Sequence, residues 1–290
     1  MKLAYYPGCS LHSTAQEYDI SLKLCLQSLG IELSEVPDWN CCGATSAHAL
    51  NEKLGTLLAV RNLSLVKNMS LNKIFAPCAA CYNRLVTTQY RLQHEPAPDS
   101  EDASLTNSGE LQEIKVLSIL DLLCDEEVQE LIKARFKKSL NGIRVACYYG
   151  CFLVRPTVAI GRCSSENPMY LEDILAAAGA EAVSWAYKTE CCGAGFVLPE
   201  PQVVLNLSRE ILRDARRSGA DVIAVACPLC QMNLDTRQDA IRREWDEDLE
   251  MPILYFTQLL GIAMGFSPRA LGLKRLMVSP FPVLMQRGIS

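Results

Sequence analysis

Ten of the chain's 14 cysteines fall into one frame that is used twice. The frame reads Gly-Cys, then Cys-Cys-Gly, then Cys-x-x-Cys. Its first copy is Gly8-Cys9, Cys41-Cys42-Gly43 and Cys78/Cys81; its second is Gly150-Cys151, Cys191-Cys192-Gly193 and Cys227/Cys230. The spacings nearly repeat. Cys9 to Cys41 is 32 positions and Cys151 to Cys191 is 40, while Cys42 to Cys78 is 36 and Cys192 to Cys227 is 35. Thiolates are soft ligands that select zinc, copper(I) or iron–sulfur clusters. Four would complete a tetrahedral zinc site or an ordinary cubane. Each frame here offers five. Adjacent cysteines diverge and do not easily occupy neighbouring corners of one tetrahedron, but they can reach two irons of one cluster. The glycine after each pair lets the backbone turn tightly beside a bulky inorganic core. Pro77 and Pro228 stiffen the chain next to each Cys-x-x-Cys. The reading is two five-thiolate cluster sites, one per half. Structural zinc is the competing reading, and it leaves the fifth thiolate unexplained.

The elements that must carry these residues alternate. Lys2–Tyr6 reads as an apolar strand running into Gly8-Cys9. A helix follows to Leu29, with apolar positions at helical spacing and Gly30 as its stop. Residues 32–36 form a second strand before Cys41-Cys42. A long helix over 49–69 and a strand over 73–77 lead to Cys78/Cys81, and another helix runs to about Gln93. The order then returns: strand 143–149, helix 169–178, strand 181–185, helix 202–218, strand 221–226, and a helix through about Glu244. Such alternation predicts α/β architecture with parallel sheets, in two pseudo-repeated halves with ligands at the carboxyl ends of strands. The expected division is 1–140 and 141–290. The stretch 94–110 is a polar, proline-containing loop. Residues 114–123 restore an apolar pattern, and 125–138 read as a charged helix bridging the halves. The apolar stretch 251–266 reads as a buried strand and helix or as a docking surface, and a docking tail is placed at the end of the second half.

Composition narrows the function classes. With 290 residues, 49% hydrophobic and 21% charged, the chain can build ordinary cores without disulfide staples. A net charge of -5 gives no support for nucleic-acid binding. No run is apolar enough to span a membrane, and the first residues do not form a signal peptide. A cytoplasmic, reducing setting is expected, where clustered cysteines are metal ligands or redox catalysts more often than disulfides. The sequence carries no Gly-x-Gly-x-x-Gly after a strand and no Cys-x-x-Cys-x-x-Cys run, so electrons are expected to arrive from another protein.

The remaining candidates are plainer. Cys25 and Cys124 lie in apolar helical patterns and read as core thiols. Cys147, on a strand before Cys151, is a rival ligand or a neighbour of the site. Cys163 reads as a loop thiol. His12 and His48 follow cluster elements closely enough to serve as proton donors or as ordinary polar groups, and His94 reads as exposed. Arg84, Arg155 and Lys188 stand near the motifs and are candidates to hold an anionic substrate or to balance cluster charge. Arg209, Arg213, Arg216 and Arg217 read as a solvated helix face.

The doubled frame resembles the CCG-domain family, above all the B subunit of heterodisulfide reductase. The matching stretches are Tyr6-Pro7-Gly8-Cys9, Asn40-Cys41-Cys42-Gly43, Pro77-Cys78-Ala79-Ala80-Cys81-Tyr82-Asn83, Tyr149-Gly150-Cys151, Glu190-Cys191-Cys192-Gly193-Ala194-Gly195 and Cys227-Pro228-Leu229-Cys230-Gln231-Met232-Asn233-Leu234, with Tyr255–Gly261 near the end. The likeness covers nearly the whole chain and is weakest over 94–110. It implies two non-cubane [4Fe-4S] clusters. Cys9, Cys41, Cys42, Cys78 and Cys81 would hold the first, and Cys151, Cys191, Cys192, Cys227 and Cys230 the second. It implies a catalytic subunit that reductively cleaves a disulfide between the clusters, such as the coenzyme M–coenzyme B heterodisulfide of methanogenesis or a related thiol disulfide. It further implies a ferredoxin-like C subunit and a flavin-containing A subunit as partners, often with a hydrogenase or formate dehydrogenase, and no flavin in this chain. The alternative is an iron–sulfur electron-transfer subunit of another oxidoreductase complex, without disulfide chemistry.

Overall fold

A computed structural model describes residues 1–44, 50–94, 111–161 and 164–289. Eight strands form two four-stranded sheets. The first contains β1 (Lys2–Tyr5), β2 (Glu32–Glu35), β3 (Lys73–Phe75) and β4 (Lys115–Leu117), in the order β2-β1-β3-β4. The second contains β5 (Arg144–Tyr148), β6 (Glu181–Ala182), β7 (Val222–Val225) and β8 (Ile253–Tyr255), in the order β6-β5-β7-β8. All pairings are parallel, with Lys2 opposite Glu32 and Ala4 opposite Ile74 in one sheet, and Val145 opposite Val222 in the other. The two orders are the same, so the repeat in the cysteines is a repeat of the fold.

The central strands are buried along most of their length. Leu3, Ala4 and Tyr5 of β1 and all of Val222–Val225 are buried, as expected for parallel strands covered by helices on both faces. In this order the chain leaves the inner strand first to one side and then to the other. The connections after β1 and β3 therefore diverge and open a crevice at the carboxyl ends of those strands. Cys9 follows β1 and Cys78 follows β3; Cys151 follows β5 and Cys227 follows β7. The topology puts the frame at both switch points.

Most elements lie where the sequence reading placed them, although the helix read over 125–138 spans only Glu126–Ala134 and the strand read over 73–77 spans only Lys73–Phe75. The strand predicted over 181–185 is only Glu181–Ala182. The helix predicted to 244 is two helices, Pro228–Thr236 and Gln238–Trp245, separated at Arg237. The 251–266 stretch is interior: it supplies β8 and the helix Phe256–Ala263, whose residues are all buried, so it is not a docking surface. Cys124 is not a core thiol. It caps the carboxyl end of the helix Ile119–Leu123, where the chain turns outward, and it is exposed. His48, Cys163 and residues 95–110 lie outside the described residues.

The halves meet through the helices Gln16–Ser28 and Phe256–Ala263. Ser21 Oγ and Thr257 Oγ1 are 2.7 Å apart, and Cys25 Sγ donates to Thr257 O at 3.3 Å. Burial pushes the Cys25 thiol up to about 12, consistent with its reading as a core thiol. Tyr18 stacks on Tyr255 with ring centroids 4.3 Å apart. Its hydroxyl lies 3.4 Å from Pro77 O and 3.3 Å from Ala226 O. Those carbonyls immediately precede Cys78 and Cys227, so one buried hydroxyl is shared between equivalent points of the two repeats. Tyr18→Phe leaves both carbonyls without it. Both contacts are long, so the loss belongs at the low end of the range for a buried unsatisfied group, about 1 kcal/mol in urea denaturation. An unchanged midpoint would mean the hydroxyl does not tie the halves.

Candidate functional site: a doubled cysteine centre

Each half builds its cysteine turns with the same devices. Gly8 and Gly150 have φ of +67° and +63°, a region that disfavours side chains. A Cβ on Gly8 would sit 2.7 Å from Cys81 Sγ, and one on Gly150 would sit 3.0 Å from Cys230 Sγ. Glycine is therefore needed twice over, for the turn and for the approach of the last sulfur of each Cys-x-x-Cys. Two residues earlier stand Tyr6 and Tyr148, both buried. Tyr6 donates its hydroxyl to Asn40 O at 2.7 Å, and Tyr148 donates to Glu190 O at 2.6 Å. Each carbonyl belongs to the residue just before the Cys-Cys pair. Each tyrosine thus fastens the first cysteine turn to the second. The sequence reading missed these two roles, although the repeat carried the signal: a tyrosine stands two places before the glycine in both copies.

The Cys-Cys turns are also alike. Gly43 and Gly193 take φ of +78° and +79°. Their amides donate to the sulfur two residues back, Gly43 N to Cys41 Sγ at 3.4 Å and Gly193 N to Cys191 Sγ at 3.3 Å. Cys9, Cys41 and Cys191 are exposed and Cys151 is half-buried, while Cys42, Cys78, Cys81, Cys192, Cys227 and Cys230 are buried.

The thiols contact one another in sequence. In the first half, hydrogen-bonding contacts link Cys9 to Cys41, Cys41 to Cys42, Cys42 to Cys81 and Cys81 to Cys78. In the second half, Cys151 Sγ lies 3.8 Å from Cys191 Sγ, and Cys192 Sγ lies 3.5 Å from Cys230 Sγ, which contacts Cys227. Cys78 and Cys227 influence each other's acidity across the halves, and the carbonyls just before them share the Tyr18 hydroxyl. All ten framed cysteines are brought to one region, and the two sets join at equivalent residues. Among the described residues no three donors gather around one point as a closed single-ion site.

Their acidity is uneven for a local reason. Cys41 receives hydrogen bonds from Cys42 and Cys9 and is held down at about 2. Cys191 receives one from Cys151 and others from backbone amides and is held at about 6. The donors move the other way. Cys9 and Cys151 are raised chiefly by their bonds to Cys41 and Cys191, and Cys42 is raised to about 11 chiefly by its bond to Cys41. Cys41 and Cys191 are the preferred thiolates in their contacts with Cys9 and Cys151.

The neighbours sort differently from the sequence reading. Lys188 is not free to hold a ligand. It is 7% exposed, and its Nζ lies 2.7 Å from Glu172 Oε1, 3.0 Å from Asn167 Oδ1 and 2.8 Å from Pro168 O. Arg155 donates to Thr189 O at 2.8 Å and to Glu166 Oε2 at 2.6 Å. Arg84 keeps two buried nitrogens, Nε and Nη2, without a hydrogen-bond partner among the described residues. His12 pairs with Glu35 at 3.2 Å, and exposed His94 contacts Tyr90 O at 2.8 Å. Cys147 lies within β5, fully buried, its thiol pushed up by burial and by nearby Glu172. Asn83, which the sequence reading placed in a matching stretch without a role, donates from its amide to Phe152 O at 3.0 Å and Arg155 O at 2.6 Å. It pins the Cys151 turn from the opposite half. A small pocket opens beside this turn, lined by Cys151, Cys191, Cys192, Cys227 and Phe152 together with Ala79 of the first half.

The comparisons agree with this doubled centre. The family described as "Cysteine-rich domain" (CCG) matches twice, over residues 3–86 and 145–235. The chain belongs to the CCG cysteine-rich-domain family. Among its relatives is the 8-methylmenaquinol:fumarate reductase membrane anchor subunit of Wolinella succinogenes, 33% identical over 94% of this chain and 95% of the relative. Two others are heterodisulfide reductase B subunits. That of the ferredoxin/F(420)H(2)-dependent CoB-CoM enzyme of Methanosarcina acetivorans is 31% identical, and that of the ferredoxin:CoB-CoM enzyme of Methanosarcina mazei is 30% identical. Each of these alignments covers 94% of this chain and 93% of the relative. The chain is therefore a heterodisulfide-reductase-B-like subunit of the oxidoreductase kind. A crystal structure of a hypothetical protein from Helicobacter pylori shares the fold, with a TM-score of 0.71 at 13% identity. That match covers 96% of this chain and 52% of the other. No helix among the described residues is long and apolar enough to cross a membrane.

Proposed function

We propose that the chain is the two-cluster subunit of a heterodisulfide-reductase-type complex, and that it reductively cleaves a small disulfide at the junction of its halves. The observation that supports this reading is the buried Tyr18 hydroxyl, which lies 3.4 Å from Pro77 O and 3.3 Å from Ala226 O and so draws the Cys78 and Cys227 turns of the two five-thiol sets together. The donor set fits iron–sulfur groups: ten sulfurs, glycines where a Cβ would meet a ligand sulfur, and amides directed at Cys41 and Cys191. We assign Cys9, Cys41, Cys42, Cys78 and Cys81 to one group, and Cys151, Cys191, Cys192, Cys227 and Cys230 to the other, in units 1–140 and 141–290. Two non-cubane [4Fe-4S] clusters are the form that five thiolates per half favour. When bound, such groups supply single electrons, and a disulfide needs two. The chain contributes the rest. The pocket lined by Cys151, Phe152 and the exposed Cys191 is where a substrate would approach the second set. Tyr6, Tyr148, Gly8 and Gly150 hold the turns rigid around it. Reducing equivalents come from partner subunits, for which a ferredoxin-like and a flavin-containing protein are the candidates.

A second reading is favoured by one specific comparison, the likeness to a fumarate reductase subunit. In it the same paired centre passes electrons within another oxidoreductase complex and cleaves no disulfide. Iron, acid-labile sulfide and zinc per chain, measured after anaerobic purification, separate cluster from zinc; about eight irons and eight sulfides are expected. Thiol release from a mixed disulfide with a reduced viologen donor then separates the two readings. Release is the expected result. A chain loaded with eight irons that releases no thiol carries electrons only.

A further inference from the structure

The two repeats differ in charge at one equivalent position. The third residue after the last ligand cysteine is Arg84 in the first half and Asn233 in the second. Both are followed by a fully buried leucine, Leu85 and Leu234. Asn233 is a neutral amide whose Nδ2 donates to Cys192 O at 3.1 Å and lies 3.6 Å from Cys192 Sγ. Cys192 is the second thiol of its doublet, the counterpart of Cys42.

Arg84 instead carries a guanidinium with Nε and Nη2 buried and unpartnered among the described residues. These are the two donors of one edge of the fork, the edge that grips an anion with two parallel hydrogen bonds. Three charged groups act on Arg84: Arg91, Cys42 and Glu52. Glu52 is held by Arg91 in an ion pair, so no carboxylate among them is left over for Arg84. Burial lowers its pKa, the signature of a cation without a full counter-charge. Arg84 is half-buried, but two buried donors without a partner are costly unless an acceptor joins them. The anion nearest in the chemistry of the site is the thiolate-ligated group that Cys42 would help to hold.

We infer that Arg84 is a positioning residue that makes the two centres electronically unequal, the first being the easier to reduce. This rests on the iron–sulfur reading above and not on disulfide cleavage. A cation beside a centre stabilises its more negative, reduced form and raises its potential. Asn233 offers the second centre a dipole only. Electrons entering the pair therefore settle first on the half that holds Cys42.

The test is an EPR-monitored redox titration of the anaerobically purified, iron-loaded chain, with iron and zinc measured on the same sample. Two distinct midpoints are expected. Arg84→Gln lowers the upper midpoint by about tenfold in the reduction equilibrium, or 59 mV for a one-electron couple, and leaves the lower one in place. Arg84→Lys, which keeps the charge without the fork, restores most of the gap. Asn233→Arg raises the lower midpoint. Iron-loaded protein in which Arg84→Gln moves neither midpoint, or both equally, overturns the inference while the cluster reading stands. If Arg84→Gln loses iron, Asn233→Arg decides: an unmoved lower midpoint overturns the inference. Wild-type chain that binds zinc and no iron overturns both.

Discussion

Gly8→Ala is expected to strip one centre and leave the other. On the proposed two-cluster reading, the iron content should fall from about eight per chain to about four, with acid-labile sulfide falling in step. Two effects act at this residue. An L-amino acid in the left-handed region costs about 1–2 kcal/mol. The new methyl would also lie 2.7 Å from Cys81 Sγ, closer than any ordinary carbon–sulfur contact, so the sulfur must move. Cys81 is buried on the helix that also carries Asn83, and it has no free space to yield. A ligand displaced by a few tenths of an ångström no longer closes a rigid cluster. Gly150→Ala is the matching change in the second half. Its methyl would meet Cys230 Sγ at 3.0 Å, so the loss there should be less complete. Circular dichroism unchanged from the wild type would show that the sheets survive. A Gly8→Ala chain that keeps all its iron would remove the close approach from the account of the site.

The second large effect is on stability. Lys188→Met should lower the unfolding free energy by about 3–5 kcal/mol, because it leaves Glu172 as an uncompensated buried charge. Glu172 is 3% exposed and also accepts the Tyr149 hydroxyl, while the Tyr149 oxygen accepts from Leu171 N at 2.8 Å. The Lys188 carbonyl accepts from Tyr149 N at 2.8 Å and Gly150 N at 3.2 Å. This network holds the Gly150-Cys151 turn against the approach to Cys191. Domains are stable by about 5–15 kcal/mol, so a loss of this size is a large fraction. Urea denaturation followed by tryptophan fluorescence measures it. Adding Glu172→Gln should return most of the loss, since the orphaned charge is then gone. A double variant as unstable as Lys188→Met alone would show that packing of the lysine stem, and not charge, is what matters.

Both predictions concern residues whose importance could be read to different depths in the sequence. The glycines were legible. Gly8 and Gly150 precede equivalent cysteines, and a repeated Gly-Cys needs a backbone reason. The partner that explains them, the last sulfur of each Cys-x-x-Cys, is more than 70 positions away and could not be read. Lys188 was misread as a candidate for an anionic substrate. Nothing local announces that Glu172, 16 positions earlier on a helix, turns inward to meet it. Cys124 was misplaced for a similar reason: its apolar neighbours suggested a helix interior, but the helix ends there. Tyr18 carried no signal. Its role depends on two carbonyls at positions 77 and 226 that meet only where the halves pack.

The sequence by itself determined the doubled frame, the alternation of strands and helices, the parallel sheets and the ten sulfurs that stand at strand ends. These are properties of spacing and of the period of burial, which each segment carries locally. Only the tertiary structure decided that the Cys78 and Cys227 turns share the Tyr18 hydroxyl, that Lys188 is spent on Glu172, and that two nitrogens of Arg84 are left without a partner among the described residues. Each of these depends on groups brought together from distant parts of the chain. Burial then removes the water that would otherwise have made those meetings unimportant.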